Sequence, residues 1–160
     1  DGFLPEGVTR LAVDSIFMMP QLGVLAEVHE KSATEVFEKD CLIHLGTLVA
    51  PVGTTQEGKP CVKFEASFPD GRKVNEDVPF GHMKVYPLAV GETAQIKVTP
   101  ARGFDAGAGP GKPLERKLSG GVVGLILDTR GRPFNLPTDE SERVSRLDKW
   151  AAAFDAYPAA

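Results

Sequence analysis

The stretch that most narrows the fold of this chain is "CVKFEASF", residues 61–68. Val62, Phe64, Ala66 and Phe68 alternate with Lys63, Glu65 and Ser67, and a period of two fits a strand with one face buried and the other in water. "PDGR" is a turn sequence, and "KVNEDV" after it predicts the second arm of a hairpin. The same grammar continues. Strands are predicted at "HMKVYPLAV", "AQIKVTPA", "PLERKLSG" and "GVVGLILD", with the turn "VGET" between the first two. Many short strands punctuated by Gly and Pro predict an antiparallel β-barrel or sandwich between about residues 54 and 133.

The flanks read differently. "VTRLAVD" predicts a short strand ending at Asp14, and Pro20 with Leu22, Leu25 and Val28 predicts a helix over about 20–30 that buries one stripe. Ser32 and Glu35 have capping-box spacing, which predicts a second short helix burying Val36 and Phe37. The run "LIHLGTLVAPVG" predicts a strand buried on both faces. At the other end, Asp139 and Glu142 cap a helix whose Val144, Leu147, Trp150, Ala151 and Phe154 form a 3.6-period stripe, which is expected to dock on its own domain. The fold class is therefore α+β and mainly β. It divides into residues 1–53, an N-terminal α/β segment, and residues 54–160, a β-rich domain with a C-terminal helix.

The 160 residues and 42% apolar content suffice for one domain with an ordinary core. A net charge of −4 supplies no broad cationic field, so neither nucleic acid nor a membrane surface is expected as a partner. No apolar run reaches the ~20 residues of a spanning helix, and "DGFLPEG" lacks the basic and apolar regions of a signal peptide, so the expected location is cytoplasmic. Cys41 and Cys61 have no metal-type spacing and read as reduced thiols. His29, His44 and His82 are scattered, so no metal or other cofactor is expected, and His44 reads as a core histidine. There is no G-x-S-x-G elbow and no H-E-x-x-H motif. Asp14, Asp105 and Asp128 stand where strand ends or loops are predicted, and Asp128 in "LILDTRGRP" reads as a turn residue.

One loop keeps a ligand in play. "GFDAGAGPGKPLERK", residues 103–117, has glycines at alternate positions beside a lysine, a composition that can cradle an anion. It does not match the nucleotide-binding loop G-x-x-x-x-G-K-[ST], because Ala106 stands where the first glycine belongs and Pro113 follows Lys112. A dinucleotide fingerprint also fails, since the glycines are out of register and a strand follows instead of a helix. A stiffened connection between strands is the simpler reading. Arg102, Gly107, Gly109, Gly111, Lys112 and Arg116 remain the residues that would hold an anion.

Longer phrases carry a family resemblance: "LPEGVTRLAVDSIFMMPQLGVLA", "LGTLVAPVG", "TPARGFDAGAGPGKPLERKLSGGVVGLILDTRGRPFNLP" and the closing "DKW". They resemble the C-terminal part of the long members of the glutamate mutase (methylaspartate mutase) L family. The resemblance spans almost the whole chain and is most specific from Thr99 to Pro137. It implies an actin-like ATPase that serves as accessory or reactivating protein to a cobalamin-dependent mutase. The phosphate-binding loops would then lie upstream of Asp1, and residues 1–53 would end the ATPase core or connect to it. No catalytic residue transfers to this sequence. The function expected is thus a non-catalytic C-terminal module used for docking on the mutase or for self-association. The alternative is a small anion- or ligand-binding β module that uses the 103–116 loop.

Overall fold

The strand grammar of the middle of the chain is realised in a computed structural model that describes residues 4–155, and the side chain of Phe154 lies outside the described residues. The elements are β1 (Gly7–Asp14), α1 (Met19–Val36), a π-helical turn (Phe37–Cys41), β2 (Leu42–Ala50), β3 (Pro60–Ser67), β4 (Lys73–Pro79), β5 (Met83–Tyr86), β6 (Thr93–Pro100), β7 (Leu114–Ser119), β8 (Gly124–Asp128) and α2 (Glu140–Asp155). The chain is α+β and mainly β. The strands form two four-stranded sheets, ordered β1-β2-β8-β5 and β4-β3-β6-β7. Neither closes on itself, which corrects the barrel alternative.

Alternation decides what each sheet buries. In β3, Val62, Phe64 and Ala66 are buried, and Phe68 follows them into the same cluster. That cluster takes Val49, Leu125, Leu127 and Tyr86 from the first sheet and Phe64, Val78, Ile96 and Val98 from the second, so the two sheets share one core. Each fully buried side chain of this size contributes about 1.5–3 kcal/mol. Leu48, Ala50 and Ile126 alternate with Val49, Leu125 and Leu127, and they join Met83 and Trp150 in a second cluster. The central strands of the first sheet are therefore buried on both faces, as the unbroken apolar run of β2 predicts. Polar ties also join the sheets. Thr47 Oγ1 donates to the Ser119 carbonyl at 2.7 Å, and the Glu76 carboxylate on β4 accepts from Lys84 and from the Tyr86 hydroxyl on β5.

Not every pair is antiparallel. β2 and β8 run parallel over Gly46–Val49 and Gly124–Leu127. A parallel pair needs a long crossover, and here the entire second sheet together with β5 supplies it. The sheet that contains β1 and β2 also contains β5 and β8, so it runs across the division expected at residue 53.

The helices differ in part from expectation. α1 is two helical stretches that meet at a kink at His29 (φ −144°, ψ 63°), as the two predicted helices require, and no side chain caps the first stretch at Met18. Of the expected buried stripe, Leu22 is buried and Leu25 half-buried, but Val28 is 74% exposed, and Val36 of the second stretch is exposed as well; Val24, outside the stripe, is 68% exposed. The reason lies in the register. β1 pairs with β2 along its whole length, whereas β8 pairs only as far as Gly46 and the residues before it, Val122 and Val123, donate to β2 only as far as the His44 carbonyl, so Val13–Asp14 and Leu42–Ile43 continue outward as a two-stranded ribbon. Ser15 closes that ribbon, donating both its N–H and its Oγ to the Cys41 carbonyl. α1 thus stands at the ribbon's end and not over the sheet. At the other terminus, Glu142 N–H donates to Asp139 Oδ1 at 2.9 Å, the expected cap. α2 docks through Trp150, while Val144 and Leu147 remain half exposed.

The parallel pair depends on close backbone approach. A Cβ on Gly46 (φ +137°) would lie 1.8 Å from the Gly124 carbonyl oxygen, whereas one on Gly23 in α1 would meet nothing within 4 Å. Gly46→Ala is expected to lower the unfolding free energy by about 3 kcal/mol or more, and Gly23→Ala to raise it by about 0.5–1 kcal/mol, both read by chemical denaturation. Equal effects of the two changes would contradict this packing.

Candidate functional site

The 103–116 loop leaves β6 and is bolted to the body before its glycines begin. Phe104 is buried, and Asp105 exchanges backbone hydrogen bonds with Val52 at 2.8 and 2.9 Å. The Asp105 side chain then turns inward along the loop. Its Oδ1 accepts the N–H of Gly107 at 2.7 Å and the N–H of Gly109 at 2.9 Å. Gly111 N–H donates to the Phe104 carbonyl, and Lys112 N–H donates to the Gly109 carbonyl. The amides that could converge on an external anion are thus committed to a carboxylate and two carbonyls of the same loop. The charge that satisfies the cradle is part of the chain.

The six residues expected to hold an anion are only partly brought together. Gly107 and Arg116 share a cleft of about 220 Å³ with Glu6, Gly7, Val8, Ala106 and Leu114. Arg102, Gly109, Gly111 and Lys112 do not line it. The Lys112 stem lies over Gly109, with Cδ 3.4 Å from where a Cβ would stand. Glu6 puts a carboxylate in the cleft that Arg116 shares with the loop, so the local field there is mixed.

A second cluster is built where β8 ends, in "DTRGRP". Asp128 Oδ1 accepts the Arg130 N–H at 3.0 Å, the turn expected from sequence. The buried ion cluster around it was not expected. Arg130 donates to both carboxylate oxygens at 2.8 Å, and Arg132 donates to Oδ2 at 3.0 Å. Asp128 and Arg132 are 1% and 3% exposed. Burial alone would raise the Asp128 pKa, but the hydrogen bonds and charge of Arg130, with the charge of Arg132, outweigh it and hold the carboxyl below its ordinary range. Arg132 also donates to the Pro5 and Gly131 carbonyls, and the Arg130 guanidinium lies 4.9 Å from the ring centre of Trp150 and 5.4 Å from that of Phe134. Trp150 Nε1 donates to the Gly81 carbonyl at 2.8 Å. Thr129 Oγ1 donates to the Pro79 carbonyl and accepts from the His82 N–H.

This geometry is structural. Asp128 is sealed from solvent and matched by two cations, so it is not placed to take a proton from an outside molecule. The signal available in the sequence was the D-x-R-x-R spacing, which can return two guanidiniums to one carboxylate.

Cys61 lies close enough to Asp128 to feel its charge. Burial first, and then that carboxylate, push its thiol up to about 12. Cys41 is buried and free as well, and its thiol is raised by burial and by Asp14 and Asp40. His44 is half-buried on β2. Among the described residues no group of three or more His, Cys, Asp or Glu is arranged to hold a metal ion, and no helix is long and apolar enough to cross a membrane. No protein-family model, curated protein or solved structure matches this chain.

Two outcomes follow from these contacts. Asp105→Ala is expected to speed amide hydrogen exchange at Gly107 and Gly109 and to cost about 1–3 kcal/mol, with Asp105→Asn recovering much of that because it keeps an acceptor oxygen. Unchanged exchange in the alanine variant would show that the carboxylate does not hold the loop. The folded protein at pH 8 is expected to resist alkylation by iodoacetamide and to take up label at both cysteines only in denaturant, because the thiolate is the reactive form. Rapid labelling of the native chain would contradict the burial of Cys61.

Proposed function

We propose that this chain is a non-catalytic β-rich module of an ATP-dependent accessory protein for a cobalamin-dependent mutase, and that it serves docking. In this reading the two facing sheets form a rigid sandwich, and the ribbon with α1 is the part that meets a partner. The observation that carries the reading is the apolar surface of that projection. Ile16, Phe17, Met19, Val24 and Val28 are each more than half exposed, on an element that the body of the domain leaves largely uncovered. Contiguous exposed apolar surface on a well-packed domain marks an interaction site. The choice of a mutase as partner rests on the resemblance of the Thr99–Pro137 segment and its neighbours to the glutamate mutase L family.

The anion-binding alternative has weaker support, since Asp105 occupies the amides that an anion would need. Self-association is the other form of the docking reading, and it is separable by experiment.

Isothermal calorimetry between this chain and a cobalamin-dependent glutamate mutase is expected to give a Kd of about 10 μM or tighter. Sedimentation of the chain alone separates self-association from binding to the mutase. No heat of binding at those concentrations, from a chain that is monomeric and folded, would overturn the docking role.

A further inference from the structure

The strongest unexplained feature of the molecule is the presentation of Phe17. It is 81% exposed, and among the described residues it is the one non-glycine residue with a positive φ, at +55°. Non-glycine residues visit that backbone region at an energetic cost, and such positions cluster where a side chain must be held for use. What holds it is visible. Asp14 Oδ1 accepts the N–H of Ile16 at 3.3 Å and of Phe17 at 2.9 Å, and the Ser15 bonds to Cys41 fix the base of the turn. An aromatic ring is therefore set in solvent on a pre-formed turn. Preorganised aromatics of this kind carry a large share of the energy in protein interfaces, because little ordering remains to be done on binding.

The surroundings constrain the partner. Ile16 and Met19 flank the ring along the chain, and Val24 and Val28, four residues apart on α1, extend the apolar surface. Charge is concentrated in the same projection. Residues 10–40 hold six carboxylates and three cations, a net −3 out of the −4 of the whole chain. Glu27, Glu30, Glu35 and Glu38 are all exposed on or just beyond the helix. Two copies placed face to face would bring these carboxylates together, and an anionic lipid surface would repel them. A partner with the opposite charge gains from both properties.

We propose that the β1–α1–β2 projection is a docking ridge, anchored by Phe17, for a protein that presents an apolar helix face bordered by lysine and arginine. The inference rests on the docking reading above, and it adds the place of contact and the chemistry of the partner. The probe that tests it is independent of the mutase, so failure of one is distinguishable from failure of the other.

The probe is a synthetic amphipathic helical peptide with a leucine face bordered by lysines, titrated into the full chain and compared with the same peptide bearing glutamate in place of lysine. The lysine peptide is expected to bind and the glutamate peptide to bind at least about tenfold more weakly. Phe17→Ser, and separately Val24→Ser with Val28→Ser, are expected to weaken the lysine peptide about tenfold each while leaving the circular dichroism unchanged, since all three side chains stand in solvent. Glu27→Lys with Glu30→Lys is expected to weaken it without altering the apolar surface. Raising the salt from about 0.05 M to about 0.5 M should weaken binding several-fold. Equal affinity for the two peptides, indifference to Phe17→Ser, a wild-type dimer that Phe17→Ser dissolves, or binding of the chain to neutral phosphatidylcholine vesicles would each overturn the proposal.

Discussion

Asp128 is the point on which the rest of the molecule closes. Its carboxylate, at the end of a central strand buried on both faces, is held by two guanidiniums, and each of them reaches a different part of the chain. Arg132 extends to the Pro5 carbonyl, just ahead of β1, while Arg130 lies under Trp150 and ties α2 to the first sheet. Thr129, the next residue, bridges the β4–β5 connection through Pro79 and His82. Burying a carboxylate is costly, and the cost is offset here only because all the partners arrive together. The folded state therefore couples four segments that lie far apart in sequence.

The remainder of the structure is a contrast between a closed body and an open projection. In the body, apolar side chains from both sheets interdigitate in one cluster, α2 covers the outer face of the first sheet with Trp150, and the glycine-rich loop is locked by its own aspartate. In the projection, two strands run past the end of β8, and a helix with an exposed apolar face stands on them. A rigid body that presents a compact apolar turn suits a binding module. The ordering cost of the contact surface has been met by folding.

Much of the body was legible in the sequence because it obeys local rules. The period of two in β3, the PDGR turn that places β4 after it, the Asp139 cap and the apolar run of β2 depend on residues within a few positions of one another, and each predicts the element observed. What escaped depends on partners distant in the chain. The parallel pairing of β2 with β8 joins residues about 78 apart, and no periodicity encodes it. The Asp128 cluster needs Trp150 and Pro5, so the short motif reads only as a turn. The spacing of Leu22, Leu25 and Val28 was a true helix signal, but periodicity gives the face of a helix and not what covers it, and in α1 the body covers little. The glycine loop shows the same limit. Its glycines do present amides to a carboxylate, and that carboxylate is Asp105, two positions before Gly107.

Because Trp150 is the only tryptophan in the chain and lies on Arg130, its fluorescence reports directly on the cluster around Asp128. The most direct measurement is equilibrium unfolding of Asp128→Asn, followed in parallel by Trp150 emission and by far-ultraviolet circular dichroism. Removing the charge leaves Arg132 buried without its partner. The expected loss is about 3–5 kcal/mol, with the two signals moving in a single transition. A variant that unfolds at the wild-type midpoint would contradict the claim that this carboxylate holds the fold together. So would one in which α2 detaches while the β-sheet signal stays at full stability.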